Sequence, residues 1–485
     1  MIPILSGNVA SALGGAYEVA NSLRFDTASS TDLVYTPSST GSRRTFTWSV
    51  WIKRSKLGAS QQIFTKKEGS GSDNNGNGNA DYLALTYFNS DDTLTVARNQ
   101  EGDYINVSIA NRKFRDIGAW YHVVASIDTT QGTGSNRVKC WVNGEAQTLT
   151  FTTTPTENRD LDFNQSGEAH HLGSYGDGSS SYFSGYLAEC VLMDGTAVSD
   201  ATNFGEYDSD SPTIWKPKDV SGLSLGTNGF YLDFENSSSL GNDAAGSNNF
   251  GTVNNLAAID QTTDTPTNSF ATLNPLQTNA FDSGSTTFSE GNTKYVNGGS
   301  ASYNSMWLPT IGVTSGKWYG EFKLGSHSTS SGHSIGIYRT KSEPYLTGGD
   351  VPASDMVRII FADTSNIVSS FGSTAQSSLG SCSSGDIFGL YFDADDGKLH
   401  CYKNGSAYIT QLTGITIAGY TWYMHTQGEV QSSRSLTFEH NYGNPSFSIS
   451  SSNADPNGYG SFEYSTTENS VGYYALCTKN LAEFG

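Results

Sequence analysis

Basic side chains are scarce in this chain: 27 Lys and Arg face 47 Asp and Glu, a formal net charge of -20 over 485 residues. DNA or an anionic membrane surface would be repelled, so neither nucleic acid binding nor membrane insertion is expected. Cysteine is rare too. Cys140, Cys190, Cys382, Cys401 and Cys477 are odd in number, far apart and without a Cys-x-x-Cys pair, which excludes a disulfide framework and a zinc ribbon and predicts buried reduced thiols. No apolar run reaches the ~18 residues of a membrane span. Residues 1–15 carry no basic side chain, so no signal peptide is expected and the protein should be soluble, starting near Met1. Helical periodicity of useful length is also missing.

What the chain has in quantity is Gly, at 53 positions, with Ser, Thr and Asn, and 12% aromatics including 26 Tyr and 24 Phe. That aromatic content excludes a disordered polar chain and suits β-sandwiches with long polar loops. At ~100–200 residues per domain the length allows two or three domains. In Phe46-Thr47-Trp48-Ser49-Val50-Trp51-Ile52 the apolar residues alternate as in a strand with one face on a core, while Trp51 adds bulk to the other face. Val138, Cys140 and Val142 lead into Asn143-Gly144, a tight hairpin turn. Cys401-Tyr402-Lys403-Asn404-Gly405 repeats the pattern, after a turn at Asp396-Gly397, and predicts two sandwiches of related design. Gly69 to Ala80 reads as a long loop and Asp200 to Leu276, with scattered Pro, as an extended connector whose strand-like piece is Gly229 to Phe234.

Ser22-Leu23-Arg24-Phe25-Asp26, Trp120-Tyr121-His122-Val123-Val124, Val142-Asn143-Gly144 and Tyr182-Phe183-Ser184-Gly185-Tyr186-Leu187-Ala188-Glu189, with the Phe46 strand, resemble the laminin-G-like or concanavalin A-like jelly roll. Some members of that family bind calcium. Here the position next to Glu189 is Ala188, so the motif does not support calcium and no cofactor is expected. Gly316-Lys317-Trp318-Tyr319-Gly320-Glu321, Ser334-Ile335-Gly336-Ile337, Gly385 to Gly389, Tyr402 to Gly405 and Asn441-Tyr442-Gly443-Asn444-Pro445 resemble a SPRY domain, itself a concanavalin-like sandwich. Leu240-Gly241-Asn242-Asp243, Asp264-Thr265-Pro266-Thr267-Asn268 and Gly472 to Leu481 resemble segments of tail-fibre and other virion-appendage proteins of marine bacteriophages. The resemblance implies a virion protein assembled in the host cytoplasm, as a homo-oligomer of the trimeric fibre kind.

The expected fold class is all-β: two concanavalin A-like antiparallel sandwiches joined by an extended linker. The expected division is residues 1–20 for virion attachment, 21–198 for the laminin-G-like sandwich, 199–280 for the connector, 281–450 for the SPRY-like sandwich and 451–485 for a tail. Ile2, Ile4, Leu5, Val9 and Leu13 are the candidate attachment residues, apolar groups that gain by burial against another subunit.

No catalytic set emerges. Glu321 and Glu439 could be paired glycosidase carboxylates, but nothing in the sequence brings them together. Gly332-His333-Ser334-Ile335-Gly336 matches a hydrolase elbow that needs a helix after it, where a strand is expected. His170 and His171, adjacent in a strand, should point to opposite faces and share no ion. Asp393, Asp395 and Asp396 read as a hairpin turn, and Trp120-Tyr121-His122 and Trp318-Tyr319 as core strands. Ligand-binding candidates lie on loops: Tyr175, Asp177, Ser181 and Tyr182 in one cluster, with Tyr345, Asp350 and Trp422 elsewhere. The expectation is a non-enzymatic phage adhesin that binds host-surface glycan or protein and other virion proteins. A structural capsid decoration or tail component is the alternative, and a polysaccharide depolymerase a third reading.

Overall fold

A computed structural model describes residues 17–67, 82–99, 104–276, 286–299, 303–327, 333–341, 353–361, 366–430 and 434–485. The attachment candidates Ile2, Ile4, Leu5, Val9 and Leu13 and the binding candidates Tyr345 and Asp350 lie outside the described residues. The chain is all-β as expected, and it forms two compact units, one reaching to Asn268 and one beginning at Ser269.

In the first unit two eight-stranded antiparallel sheets face each other. One runs Glu145–Ala146, Val138–Val142, Trp120–Asp128, Thr45–Arg54, Gly185–Asp194, Ser22–Phe25 and Gln261–Thr262, with Phe230–Leu232 also paired to Gly185–Asp194. The other runs Leu149–Thr153, Asn106–Ile109, Leu94–Asn99, Tyr82–Phe88, Gln61–Lys67, His170–Leu172, Asp32–Tyr35 and Thr252–Asn254. Phe46, Trp48, Val50 and Ile52 alternate into the core between them, where Trp48 stacks on Phe64 at 4.6 Å. Asn143 and Gly144 take the φ of 51° and 78° that the hairpin requires.

Thr45–Arg54 is buried on both faces. On the face away from the core Trp51, Trp120 and Trp141 meet Val198, Phe204, Trp215, Val220 and Leu225. All of these last residues but Val198 belong to the expected connector, so residues 199–268 are no linker. They fold back as a hairpin, Gly205–Tyr207 with Trp215–Pro217, and as the added strands Phe230–Leu232, Thr252–Asn254 and Gln261–Thr262. The physical reason is the second apolar face that Trp51 announces, which water would otherwise meet. Within this layer His122 stacks on Trp51 and Trp215, accepts the Trp215 indole N–H at Nδ1 over 2.9 Å, and is held by burial at a pKa of about 3. Lys53 and Asp264, both fully buried, pair at 2.6 Å, and Trp120 Nε1 donates to the same carboxylate.

The second unit repeats the plan. An eight-stranded sheet runs Thr286–Ser289, Lys294–Gly299, Arg434–Asn441, Lys317–Leu324, Ile387–Asp393, Lys398–Lys403 and Ser406–Ala407, with Tyr474–Ala475 parallel to Lys317–Leu324. The six-stranded partner runs Tyr303–Trp307, Thr421–Val430, His333–Thr340, Met356–Phe361, Asn366–Ser370 and Ser373–Leu379. Phe322, Ile335, Phe388 and Leu390 fill the space between. Residues 451–485 are likewise no loose tail: Phe462, Tyr473, Ala475 and Cys477 cover Tyr319 and Tyr391 on the outer face of the larger sheet. The unit begins before the expected boundary, since Phe270 bridges Cys477 and Leu273 bridges Pro309. Among the described residues Thr478–Phe484 is the single α-helix.

Candidate functional site

The strand Tyr82–Phe88 shows how one sheet face becomes a surface. Leu83 and Leu85 enter the core, and Tyr82 and Ala84 point the other way. Thr86, at φ 61°, breaks the alternation, so that Tyr87 joins Tyr82 on the outer face. A β-branched residue in this region is strained, by roughly 1–3 kcal/mol. Next to it in the sheet, Arg98 donates to the Tyr87 hydroxyl at 2.9 Å, and the Tyr82 hydroxyl donates to Gln62 Oε1 at 2.8 Å.

Over this face lies the loop that follows His170–Leu172. Its ends are fixed by Gln61–Lys67: Thr65 Oγ1 donates to Ser174 O at 2.8 Å and Gln62 N to Ser181 O at 2.9 Å. The loop closes on itself through Tyr175 N to Ser180 O and Gly178 N to Tyr175 O. Tyr175 stacks on Tyr82 with ring centroids 4.4 Å apart and planes 19° from parallel. It is half-buried. Tyr182 donates to Gly178 O across the loop, and Asp177 is exposed at the tip, accepting from Ser179. The structure therefore brings Tyr175, Asp177, Ser181 and Tyr182 into one loop.

Below the loop, His171 Nδ1 meets Asp32 Oδ2 at 2.8 Å, and Ser174 and Asn254 donate to the same carboxylate. Burial alone would raise the Asp32 pKa, but these hydrogen bonds outweigh it and hold the group below its ordinary value. His170 points the opposite way, against Phe163, and burial lowers its pKa to about 3. Burial likewise pushes the Tyr82 phenol up, with Tyr175, Tyr87 and Asp177 raising it and Arg98 lowering it. Two phenol rings in a stack, a guanidinium, and an exposed carboxylate thus lie within electrostatic reach of one hydroxyl. Such a set offers a flat apolar contact beside polar groups that can donate and accept. The residues missed by loop-based reasoning are Tyr82, Tyr87, Gln62 and Arg98; alternation in Tyr82-Leu83-Ala84-Leu85 would have placed Tyr82 on the outer face.

The second unit corrects one candidate. Trp422 is not on a loop; it lies in Thr421–Val430, has no exposed surface and packs on Phe392 at 5.7 Å, because Trp422 and Met424 alternate into the core. Other chemistry-bearing residues there serve structure. Glu321 is buried and accepts from Glu463 N, Tyr464 N, Asn441 Nδ2 and the Tyr319 hydroxyl, at 2.8 to 3.1 Å. Glu439 pairs with Lys323 at 3.5 Å. Ser334 sits inside a strand and donates to Gln427. Asp393 accepts the N–H groups of Asp395 and Asp396 and pairs with Lys317 at 2.6 Å, as a turn requires. Among the described residues no group of three or more His, Cys, Asp or Glu is arranged to hold a metal ion.

Several solved structures are similar to parts of this chain. The SPRY domain of human HERC1 is 19% identical, covers 33% of this chain and 96% of its own, at a TM-score of 0.27. The TRIM65 PSpry domain is 12% identical over 35% of this chain and 91% of its own, at 0.27. A heptameric SAP-like pentraxin from Limulus polyphemus is 20% identical over 38% and 80%, at 0.28. No curated protein matches the sequence. The family model of the concanavalin A-like lectin/glucanases superfamily, of laminin G type, matches residues 28–201, a segment that contains every side chain from Asp32 to Tyr182 that builds the outer-face site.

Proposed function

We propose that this chain is a non-enzymatic adhesin of a bacteriophage virion, whose first sandwich binds a glycan of the host surface through the Tyr175 loop. The observation that carries the glycan reading is the Tyr175–Tyr82 stack with Arg98 and Asp177 beside it, on the outer face of a sandwich of lectin-like kind. Pyranose rings present an apolar face and a rim of hydroxyls, and this surface complements both. The virion role rests on the tail-fibre-like segments and on a strongly acidic surface that disfavours nucleic acid and anionic membrane. In this reading the protein joins other virion proteins, through residues that include Ile2, Ile4, Leu5, Val9 and Leu13, and is displayed as a homotrimer. Trimeric display would raise avidity by about 10²–10⁴ over one weak sugar contact.

The test is binding of the purified full chain to oligosaccharides released from host envelopes, by glycan array and calorimetry. Tyr175→Ala should weaken capture at least tenfold without changing the unfolding midpoint. Release of shorter oligosaccharides from the same glycans would replace the adhesin with a depolymerase. Equal capture by the Tyr175→Ala variant would move the site elsewhere.

A further inference from the structure

Among the described residues many cations are paired with acids. Arg24 pairs with Asp260, Arg44 with Asp160, and Arg54 and Arg115 share Asp92. That is expected where acidic residues exceed basic ones by twenty, 47 against 27. Arg98, like Arg112 and Arg358, hydrogen-bonds a neutral side chain instead. It donates to the Tyr87 hydroxyl, and among the described residues it makes no ion pair with a carboxylate. It is half-buried beside the stacked phenols. Tyr175, on the same face, is half-buried as well.

A planar guanidinium matches a carboxylate with two parallel N–H···O bonds, and fixing it against an aromatic group removes part of the ordering cost. In a chain that repels anions overall, a guanidinium that makes no ion pair among the described residues at the binding face selects for an anion that also carries an apolar face. Asp177, exposed on the loop, opposes an anion placed next to it but accepts hydroxyl protons. A sugar acid satisfies all three: carboxylate toward Arg98, ring face toward Tyr175, hydroxyls toward Asp177. We infer that the outer-face site takes an acidic pyranose, a uronic acid residue within a polysaccharide, with Arg98 as the carboxylate receptor. This rests on the glycan reading above and narrows it to one substrate class.

The experiment uses the full chain with oligogalacturonate and oligomannuronate, and with the same oligosaccharides after reduction of their carboxyl groups to primary alcohols. Calorimetry should show the acidic form of at least one probe binding about tenfold or more tightly than its reduced form, with affinity falling as salt rises. Arg98→Gln should abolish that preference, while Arg98→Lys, which keeps charge but not the fork, should retain part of it; unchanged thermal unfolding checks that both fold. If acidic and reduced probes bind equally to the natural chain, or if a preference survives Arg98→Gln in the folded variant, the uronate inference is overturned and the glycan reading stands. If no probe binds while other pyranose oligosaccharides do, the inference falls alone; if no oligosaccharide binds at all, both fall.

Discussion

Glu189 occupies a place where a carboxylate is costly. It is buried in the outer layer of the first unit, and burial pushes its pKa from the ordinary 4.5 up to about 8, although the Tyr17 and Tyr231 hydroxyls both donate to it. The folded state therefore holds this proton where the unfolded chain has released it. Stability from the protonated form is complete below about 4.5 and is lost as pH rises toward about 8. Urea midpoints measured across that window should fall for the natural chain, and Glu189→Gln should flatten the fall. The opposite slope would show that Glu189 is ionised in the fold. Lys53 and Asp264 solve the same problem differently, each neutralising the other at 2.6 Å. Neither arrangement could be read from sequence, since each joins residues more than forty positions apart.

Hairpins are the elements that sequence specifies best, because turn chemistry is local. Asn143-Gly144 and Asn404-Gly405 both adopt the expected positive φ, with the glycines at 78° and 77°. They differ in what surrounds them. A Cβ on Gly144 would lie 2.4 Å from the ring of buried Trp215, whereas one on Gly405 would lie 2.9 Å from half-buried Tyr464. Both Ala variants incur the left-handed cost of about 1–2 kcal/mol, and Gly144→Ala adds a clash that the buried indole cannot relieve. Thermal unfolding should therefore show a larger loss for Gly144→Ala than for Gly405→Ala; equal losses would mean that Trp215 moves freely. The loop of the candidate site was legible for the same local reason, its Tyr, Asp and Ser residues lying within Tyr175 to Tyr182. Tyr82, Tyr87 and Arg98 were not, because they reach the site through strand pairing and through the reversal at Thr86. Trp422 misled because an aromatic residue beside a Gly-Tyr-Thr stretch looks like a loop until its alternation with Met424 is counted.

At the scale of the molecule, each unit hides a second apolar layer outside its sandwich, supplied by the chain that follows. Composition makes these stretches look like linkers, since Asn, Asp, Gly and Pro dominate between a few widely spaced aromatics. A fragment cut at Val198 would lose Phe204, Trp215, Phe230 and Phe250, all buried. Each deletion of a buried aromatic side chain alone costs about 3–5 kcal/mol. Residues 17–198 should therefore aggregate or resist purification, whereas residues 17–268 should give a cooperative unfolding transition; a cooperative fold for the shorter fragment would make the outer layer dispensable. The free thiols extend this to kinetics. Cys140 and Cys190 are buried in the first unit, and Cys401 and Cys477 in the second. Burial raises the pKa of Cys140, to about 12, and those of Cys190 and Cys401, so these native thiols are poor nucleophiles. A thiol reagent should modify half-buried Cys382 first and the others only as their own unit opens, and the order of mass additions would time the opening of each unit separately within one intact chain.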